Sequence, residues 1–340
     1  MGAVFAARDE LLQRDVALKL LSQEQASIPE AMSRFLNEAR AAAQLESEHA
    51  ARILDMGRTE SGTPFLALEL LAGADLEHII AEWRRLPIAD VVGWVVQALD
   101  AVAEAHALGF VHRDLKPANL FLARRRDGTQ IVKVLDFGIS KNLGASGAAP
   151  TLTATATMLG SPAYMAPEQL RNAKTVDARA DVWSLGVALY ELLTGQMPFR
   201  AESIAEICVA ILEHTPISMR ALRSDIPASL EQVVLRCLAR NPEERFPNVG
   251  ELARALAPFG PPGIEATVER VERVLRVAES ATGKGRTANR RRSILRWIAG
   301  ALAVGAVVVV ASLVSYEHAH GSLPAEHRAP PPAAHAVVVR

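Results

Sequence analysis

Cysteine, aromatic residues and net charge are all scarce in this 340-residue sequence. The two cysteines, Cys208 and Cys237, stand alone in apolar stretches, which excludes a disulfide scaffold and a Cys/His metal site. We expect both to be buried packing residues in a reducing compartment. Aromatic residues make up 5% of the chain and the formal net charge is −1, so neither base stacking nor a global positive field favours nucleic-acid binding. Half of the residues are hydrophobic, which favours a globular core.

One long run without charge lies near the C-terminus, WIAGALAVGAVVVVASLVSY at 297–316. As a helix, its twenty residues would span roughly 30 Å, the thickness of the hydrocarbon core of a bilayer. Trp297 and Tyr316 stand at its ends, where amphipathic aromatic residues favour the headgroup layer. A buried soluble helix is the alternative, but such helices rarely run so long without a polar face. The run therefore predicts a single transmembrane helix and, so far from the N-terminus, not a cleaved signal peptide.

The flanks of this run differ in charge. Basic residues, Arg290 to Arg292 among them, precede it, whereas Arg328 is the first fixed positive charge after it. By the positive-inside rule, everything N-terminal to the span is expected in the cytoplasm and 317–340 forms a short extracytoplasmic tail. The basic run could instead be a nucleic-acid patch, but its place beside the span favours contact with anionic headgroups.

The remaining pattern mixes short apolar runs with helical periodicity. Strands are expected in the runs 16–21, 65–71, 119–123 and 131–135, and helices over 29–45, 88–109 and much of 181–256. Asp127-Gly128 predicts a hairpin turn between the last two strands. After a Pro/Gly break at 260–263, apolar residues recur at alternating four- and three-residue steps: Ile264, Val268, Val271, Leu275 and Ala278. Two heptads are short for a coiled coil, so a juxtamembrane helix is favoured and a homodimer is the weaker alternative.

Five motifs follow one another over about 150 residues. Lys19 lies in Val-Ala-Leu-Lys, Glu38 lies on the next predicted helix, and the segment 112–119 reads His-Arg-Asp-Leu-Lys-Pro-Ala-Asn. Asp136-Phe137-Gly138 comes seventeen residues after Asn119, and Ala166-Pro167-Glu168 closes the series. In this order the chain resembles the protein kinase family, and within it the bacterial members of the eukaryotic-like serine/threonine kinases.

The resemblance covers residues 1–258 and implies an α+β, two-lobed protein kinase fold. A small antiparallel sheet with one helix would pack beside a larger, mainly helical lobe, with the nucleotide between them. A juxtamembrane segment (259–296), the transmembrane helix (297–316) and the outer tail (317–340) would follow. The membrane would then be the bacterial inner membrane, with the kinase domain on its cytoplasmic side.

The resemblance also implies ATP and Mg²⁺ as cofactors and protein substrates as partners. Asp114 would accept the proton of the substrate hydroxyl, while Asn119 and Asp136 would be ligands of Mg²⁺. Lys19 would hold the α- and β-phosphates, oriented by an ion pair with Glu38.

Further residues would set the acceptor and the regulation. Lys116 would contact the γ-phosphate and indicates serine or threonine as the acceptor, with Ser161 shaping the acceptor pocket. Arg113 would pair with a phosphate on an activation-loop threonine added by autophosphorylation. The candidate threonines are Thr151, Thr153, Thr155 and Thr157.

Other implied residues line the adenine site or stabilise the larger lobe. The adenine site would be formed by Val4, Ala17, Glu69, Leu71 and Phe121, and Gly2, in the glycine-rich loop, would also bind the nucleotide. Glu168 would pair with Arg245, and Asp181 would hold the backbone of the catalytic loop.

The start of the chain departs from the family pattern. Gly2 matches only the last glycine of the expected glycine-rich loop, so we expect Met1 to be internal to a longer product, with a naturally shortened kinase as the alternative. A chain without the first strand would expose a sheet edge and leave the phosphates open to water, so weak activity is expected. A membrane-tethered pseudokinase is the alternative function. Pseudokinases typically lose Lys19, Asp114 or Asp136, and all three are present here.

Overall fold

The computed structural model describes residues 3–60, 62–83, 85–137, 162–171 and 176–281. They fall almost entirely in one compact unit, Met1–Glu279, and only two described residues belong to the second unit, Ser280–Arg340.

The N-terminal part is a small antiparallel sheet with the strand order β1-β2-β4-β3. Its strands are β1 (Ala3–Asp9), β2 (Arg14–Leu20), β3 (Ile53–Arg58) and β4 (Pro64–Glu69). Within the described residues β1 pairs with β2 alone and so lies at the sheet edge. The predicted strands at 16–21 and 65–71 correspond to β2 and β4, whereas β3 was not predicted.

One long helix packs on this sheet. After the short α1 (Gln23–Ala26), α2 (Pro29–Ala42) begins with proline in its first turn, where the missing N–H costs nothing. Phe35 and Ala39, one helical turn apart, are buried against Leu66 of β4 and Leu21, which directly follows β2. A sheet with one main helix is the small lobe expected from the sequence.

The larger part is mainly helical. Its helices are α3 (Leu76–Glu82), α4 (Ile88–Ala107), α5 (Pro167–Arg171), α6 (Arg179–Thr194), α7 (Ile204–Glu213), α8 (Met219–Leu222), α9 (Ala228–Cys237), α10 (Val249–Leu256) and α11 (264–281). α4 and α6 are buried on nearly all sides and form the centre of the main core. The expected two-lobed architecture is thus confirmed.

A three-stranded sheet in this lobe positions the motifs. Its order is β5-β6-β7, with β5 (Gly73–Asp75), β6 (Leu120–Arg124) and β7 (Gln130–Val134). The predicted turn joins β6 to β7, and Gly128 adopts there a φ of +85°, which suits glycine. The hairpin places Asn119 directly before β6 and Asp136 two residues after β7.

The apolar stripe of α11 is buried within the chain. Ile264, Val268 and Val271 are 7% exposed or less and belong to the main core. Such burial contributes roughly 1.5–3 kcal/mol for each fully buried side chain. In this arrangement the stripe is not free to form the coiled coil considered for a homodimer.

The two cysteines differ in burial. Cys237 is fully buried on α9, as expected, and burial raises its pKa to about 12. Cys208 is half-buried against the core on α7, and burial raises its pKa too.

Among the described residues, no helix combines the length and apolar character needed to cross a bilayer. The run 297–316 lies outside them, so its membrane span stays a prediction.

Candidate active site

The backbone of the segment 112–119 is held in place by one buried carboxylate. Asp181, at the start of α6, accepts hydrogen bonds from the backbone N–H groups of His112 and Arg113, both at 2.8 Å. Its Oδ2 also lies 2.7 Å from His106 Nε2. Burial on its own raises the pKa of Asp181, but these partners outweigh it and lower that pKa. The turn is strained, because Arg113 has a φ of +66°, and the Asp181 carboxylate stabilises it.

Asp114, Lys116 and Asn119 converge on one point. Asn119 Nδ2 donates to the Asp114 carbonyl at 2.7 Å and to its Oδ2 at 3.2 Å. Lys116 Nζ lies 3.3 Å from the same Oδ2. The carboxylate of Asp114 is therefore fixed in orientation by a neutral donor and a cation. Such a carboxylate is suited to accept a proton from a hydroxyl placed beside it.

Lys19 and Asp136 meet across the two lobes. Lys19 Nζ lies 2.6 Å from Asp136 Oδ1, although 117 positions separate them in the sequence. Asp136 adopts a φ of +46°, which is uncommon for a residue with a side chain. Leu135 N donates to the Asn119 carbonyl at 2.9 Å, which ties Asp136 to the segment that carries Asp114. Lys19, Asp114, Asn119 and Asp136 thus belong to one site.

Val4 and Ala17 lie on the same sheet face as Lys19. Val4 stands opposite Lys19 in the register, and Ala17 precedes Lys19 by two residues. Leu71 lies between β4 and β5, Phe121 lies on β6, and both are half-buried. Glu69 has a different contact, because its carboxylate accepts from Arg52 N at 2.9 Å and lies 2.7 Å from Lys133 Nζ. The adenine-site assignment of these residues stays a prediction.

Other predicted residues lie wholly or partly outside the described part of the chain. The backbone of Glu38 belongs to α2, but its side chain is not described. Gly2 and the segment 138–161, with Ser161 and the four candidate threonines, are likewise not described. Their assigned roles stay predictions.

The predicted pair Glu168–Arg245 is observed and is bidentate. Arg245 Nη1 and Nη2 each donate to one Glu168 oxygen at 2.7 Å. The Arg245 guanidinium also donates to three backbone carbonyls and lies over the Trp183 ring, 5.1 Å from its centroid. It secures the Ala-Pro-Glu segment to the large lobe.

Comparison with known proteins agrees with this geometry. Residues 1–254 match the protein kinase domain family. The chain belongs to the protein kinase family. It is 39% identical over 247 residues to the serine/threonine-protein kinase pkn3 of Myxococcus xanthus, covering 72% of this chain and 45% of the relative. It is 36% identical over 255 residues to PknB of Mycobacterium tuberculosis, covering 74% of this chain and 40% of that protein.

A solved structure gives the same family. The kinase domain of Mycobacterium tuberculosis PknI, as a double mutant, superposes with a TM-score of 0.59 at 29% identity, covering 76% of this chain and 90% of that one. The chain spans less than half the length of the two curated relatives. Within that span it is a protein kinase domain.

The kinase site suits Mg²⁺ with ATP. Asn119 uses its amide nitrogen on Asp114, which leaves its amide oxygen as a ligand, and the Asp136 carboxylate is about half exposed. No cluster of three or more His, Cys, Asp or Glu forms a metal site among the described residues. One carboxylate and one amide oxygen suit Mg²⁺, which takes few protein ligands and completes its shell with phosphates and water. The bound ion would neutralise phosphate charge.

His112 is a kinase residue whose own contacts were not predicted. Its Nε2 lies 3.2 Å from the Leu135 carbonyl, and its Nδ1 lies 3.3 Å from Asp114 N. The ring also packs on Phe137, with centroids 5.0 Å apart. Burial lowers the pKa of His112, so the neutral ring links the Asp114 segment to the Asp136 segment. Its place in the His-Arg-Asp motif was the only sequence signal for this role.

Proposed function

We propose that this kinase transfers the γ-phosphate of ATP to serine or threonine hydroxyls of proteins. The convergence of Asp114, Lys116 and Asn119, with Lys19 and Asp136 paired beside them, carries the proposal. Phosphoryl transfer depends mainly on positioning and charge neutralisation, and this arrangement has groups for both. Asp114 orients the acceptor hydroxyl, and Lys116 places a positive charge at the same point.

The acceptor class rests on two observations. Lys116 contacts the carboxylate that would bind the acceptor, and the curated relatives are named serine/threonine kinases. We further propose autophosphorylation of threonines within 151–157, which would pair with Arg113. Phosphopeptide mapping of active protein tests this, and finding none of the four threonines modified would contradict it.

We also propose that the kinase is anchored in the inner membrane. Support comes from the uncharged run 297–316 and from the basic residues that precede it. Extraction of membranes with alkaline carbonate should leave the full chain in the pellet. Release into the supernatant would contradict an integral span, while a chain lacking 297–316 is the control.

The activity is tested by transfer of labelled γ-phosphate from ATP with Mg²⁺ to a protein substrate. Asp114→Asn should reduce kcat about 10²- to 10⁴-fold, since general base catalysis contributes about that much. Asp127→Asn on the exposed β6–β7 turn removes the same charge and should leave kcat unchanged. Equal rates for the two variants would contradict the proposal. No transfer by a folded wild-type chain would favour the pseudokinase alternative.

A further inference from the structure

An ion pair joins α11 to the centre of the large lobe. Arg270 Nε lies 2.9 Å from Oδ1 of Asp100, on α4. Asp100 is 1% exposed, and within the described residues its Oδ1 receives no aligned hydrogen bond. The Arg270 cation is therefore the charge that faces this oxygen. A buried carboxylate without such compensation is strongly disfavoured.

The other oxygen of Asp100 holds the linker 46–51, which lies between α2 and β3. Ser47 Oγ donates to Asp100 Oδ2 at 2.5 Å and accepts from His49 N at 3.1 Å. One turn later on α4, Glu104 accepts from the backbone N–H groups of Glu46 at 2.9 Å and Ser47 at 2.7 Å. Two successive turns of α4 thus fix the linker.

The same linker contacts the strand that leads to Asp136. Val134 N donates to the His49 carbonyl at 2.7 Å, and Ala51 N donates to the Val134 carbonyl at 3.0 Å. At its other end the linker continues from α2, the helix that carries Glu38. It therefore connects two elements whose positions the kinase site depends on.

α11 itself is held by contacts on both sides of Arg270. Val268 and Val271 are buried in the main core, and Arg254 Nη2 on α10 lies 2.6 Å from Glu272. Arg270 is 46% exposed, so solvent can reach the pair that joins α11 to Asp100. Because the Arg270 side chain is half-exposed, a solute or partner in solution can compete with Asp100 for its cation and so weaken the docking of α11.

We propose that α11 supports the active kinase, with Arg270 and Asp100 as positioning residues for the linker 46–51. When α11 is docked, Arg270 neutralises Asp100, and Asp100 orients Ser47. The linker then keeps α2 and β7 in the positions that the kinase site requires. Loss of the Arg270 contact loosens the linker and lowers phosphoryl transfer. The catalytic part of this inference rests on the proposed function.

The test compares Arg270→Gln with Arg273→Gln in the full chain. Arg273 is exposed on the same helix, so the second variant removes the same charge without touching Asp100. Arg270→Gln should lower kcat/KM for MgATP about three- to tenfold, which lies within the roughly 2- to 30-fold effects of residues that couple distant sites. It should also speed hydrogen exchange of the amides in 46–51, while Arg273→Gln changes neither quantity. Arg270→Lys should restore part of both.

A second variant separates coupling from simple loss of stability. Ser47→Ala removes the other contact of Asp100, so its effect on kcat/KM should be less than additive with Arg270→Gln. Equal behaviour of the Arg270 and Arg273 variants would overturn the proposal. So would faster exchange in 46–51 with an unchanged kcat/KM, because α11 would then only clamp the fold. If the wild type transfers no phosphate, the proposed function fails, and the exchange comparison alone decides whether the linker follows Arg270.

Discussion

The pair Glu168–Arg245 offers a direct measure of what it costs this kinase to break a buried ion pair. The Arg245 side chain is fully buried and that of Glu168 is 18% exposed. Replacing Glu168 by alanine leaves the guanidinium buried with backbone carbonyls as its remaining hydrogen-bond partners. Arg179 and Glu243 form a second pair nearby at 2.8 Å, but the Glu243 side chain is 76% exposed. The chain thus supplies a matched control of the same residue types.

The expected losses of unfolding free energy differ clearly between the buried pair and the exposed pair. Removing one partner of a buried pair costs about 3–5 kcal/mol, and the partial exposure of Glu168 places its loss near 3 kcal/mol. Removing one partner of an exposed pair costs at most about 1 kcal/mol. A change of 1 kcal/mol shifts Tm by roughly 2–4 °C in large domains, so Glu168→Ala should lower Tm by about 6–12 °C.

The assay is thermal and denaturant unfolding of both variants beside the wild type. Glu243→Ala should stay within about 4 °C of the wild type. Similar losses in the two variants would contradict this prediction, because burial would then not decide how much it costs to break the pair. Arg245→Lys should also be destabilising, since a lysine cannot reproduce the bidentate contact.

Two other predictions concern helix docking and pH. Val271→Ala should cost about 2 kcal/mol of unfolding free energy. Val277 is 65% exposed on the same helix, so Val277→Ala should cost almost nothing. Equal denaturant midpoints for the two variants would contradict the docking of α11. Burial lowers the pKa of His112 and of His49, so both are neutral when folded and bind protons more readily when unfolded. The unfolding free energy should be fully retained above about pH 6.5, and it should fall as the pH drops towards and through the lowered pKa values of the two histidines. His112→Gln should weaken this dependence between pH 7 and pH 5, and an unchanged slope would contradict the assignment.

The site was predictable where a motif specifies chemistry. Lys19, Asp114, Asn119 and Asp136 were chosen from their order in the sequence, and the fold brings all four together. The order gives no distances, so the direct contact of Lys19 with Asp136 could not be foreseen. The same holds for the Glu69–Lys133 pair, because two residues 64 positions apart reveal no contact through local patterning.

The fold was predictable where periodicity is strong. The α4 region and the β6–β7 hairpin were placed within two residues of their observed bounds. β3 was missed because its residues are mostly exposed or half-buried and include Gly57, so they show no clean alternation. The stripe on α11 predicted a helix, which the structure has, but a periodic pattern does not say which surface covers its apolar face.

The docking of α11 also bears on where this kinase can be cut. The family match ends at residue 254, yet Ile264, Val268 and Val271 complete the core beyond it. A fragment ended at that match would uncover an apolar patch on the large lobe and leave Asp100 without its cation. Exposed apolar patches promote association, so such a fragment should aggregate where one that keeps α11 stays dispersed.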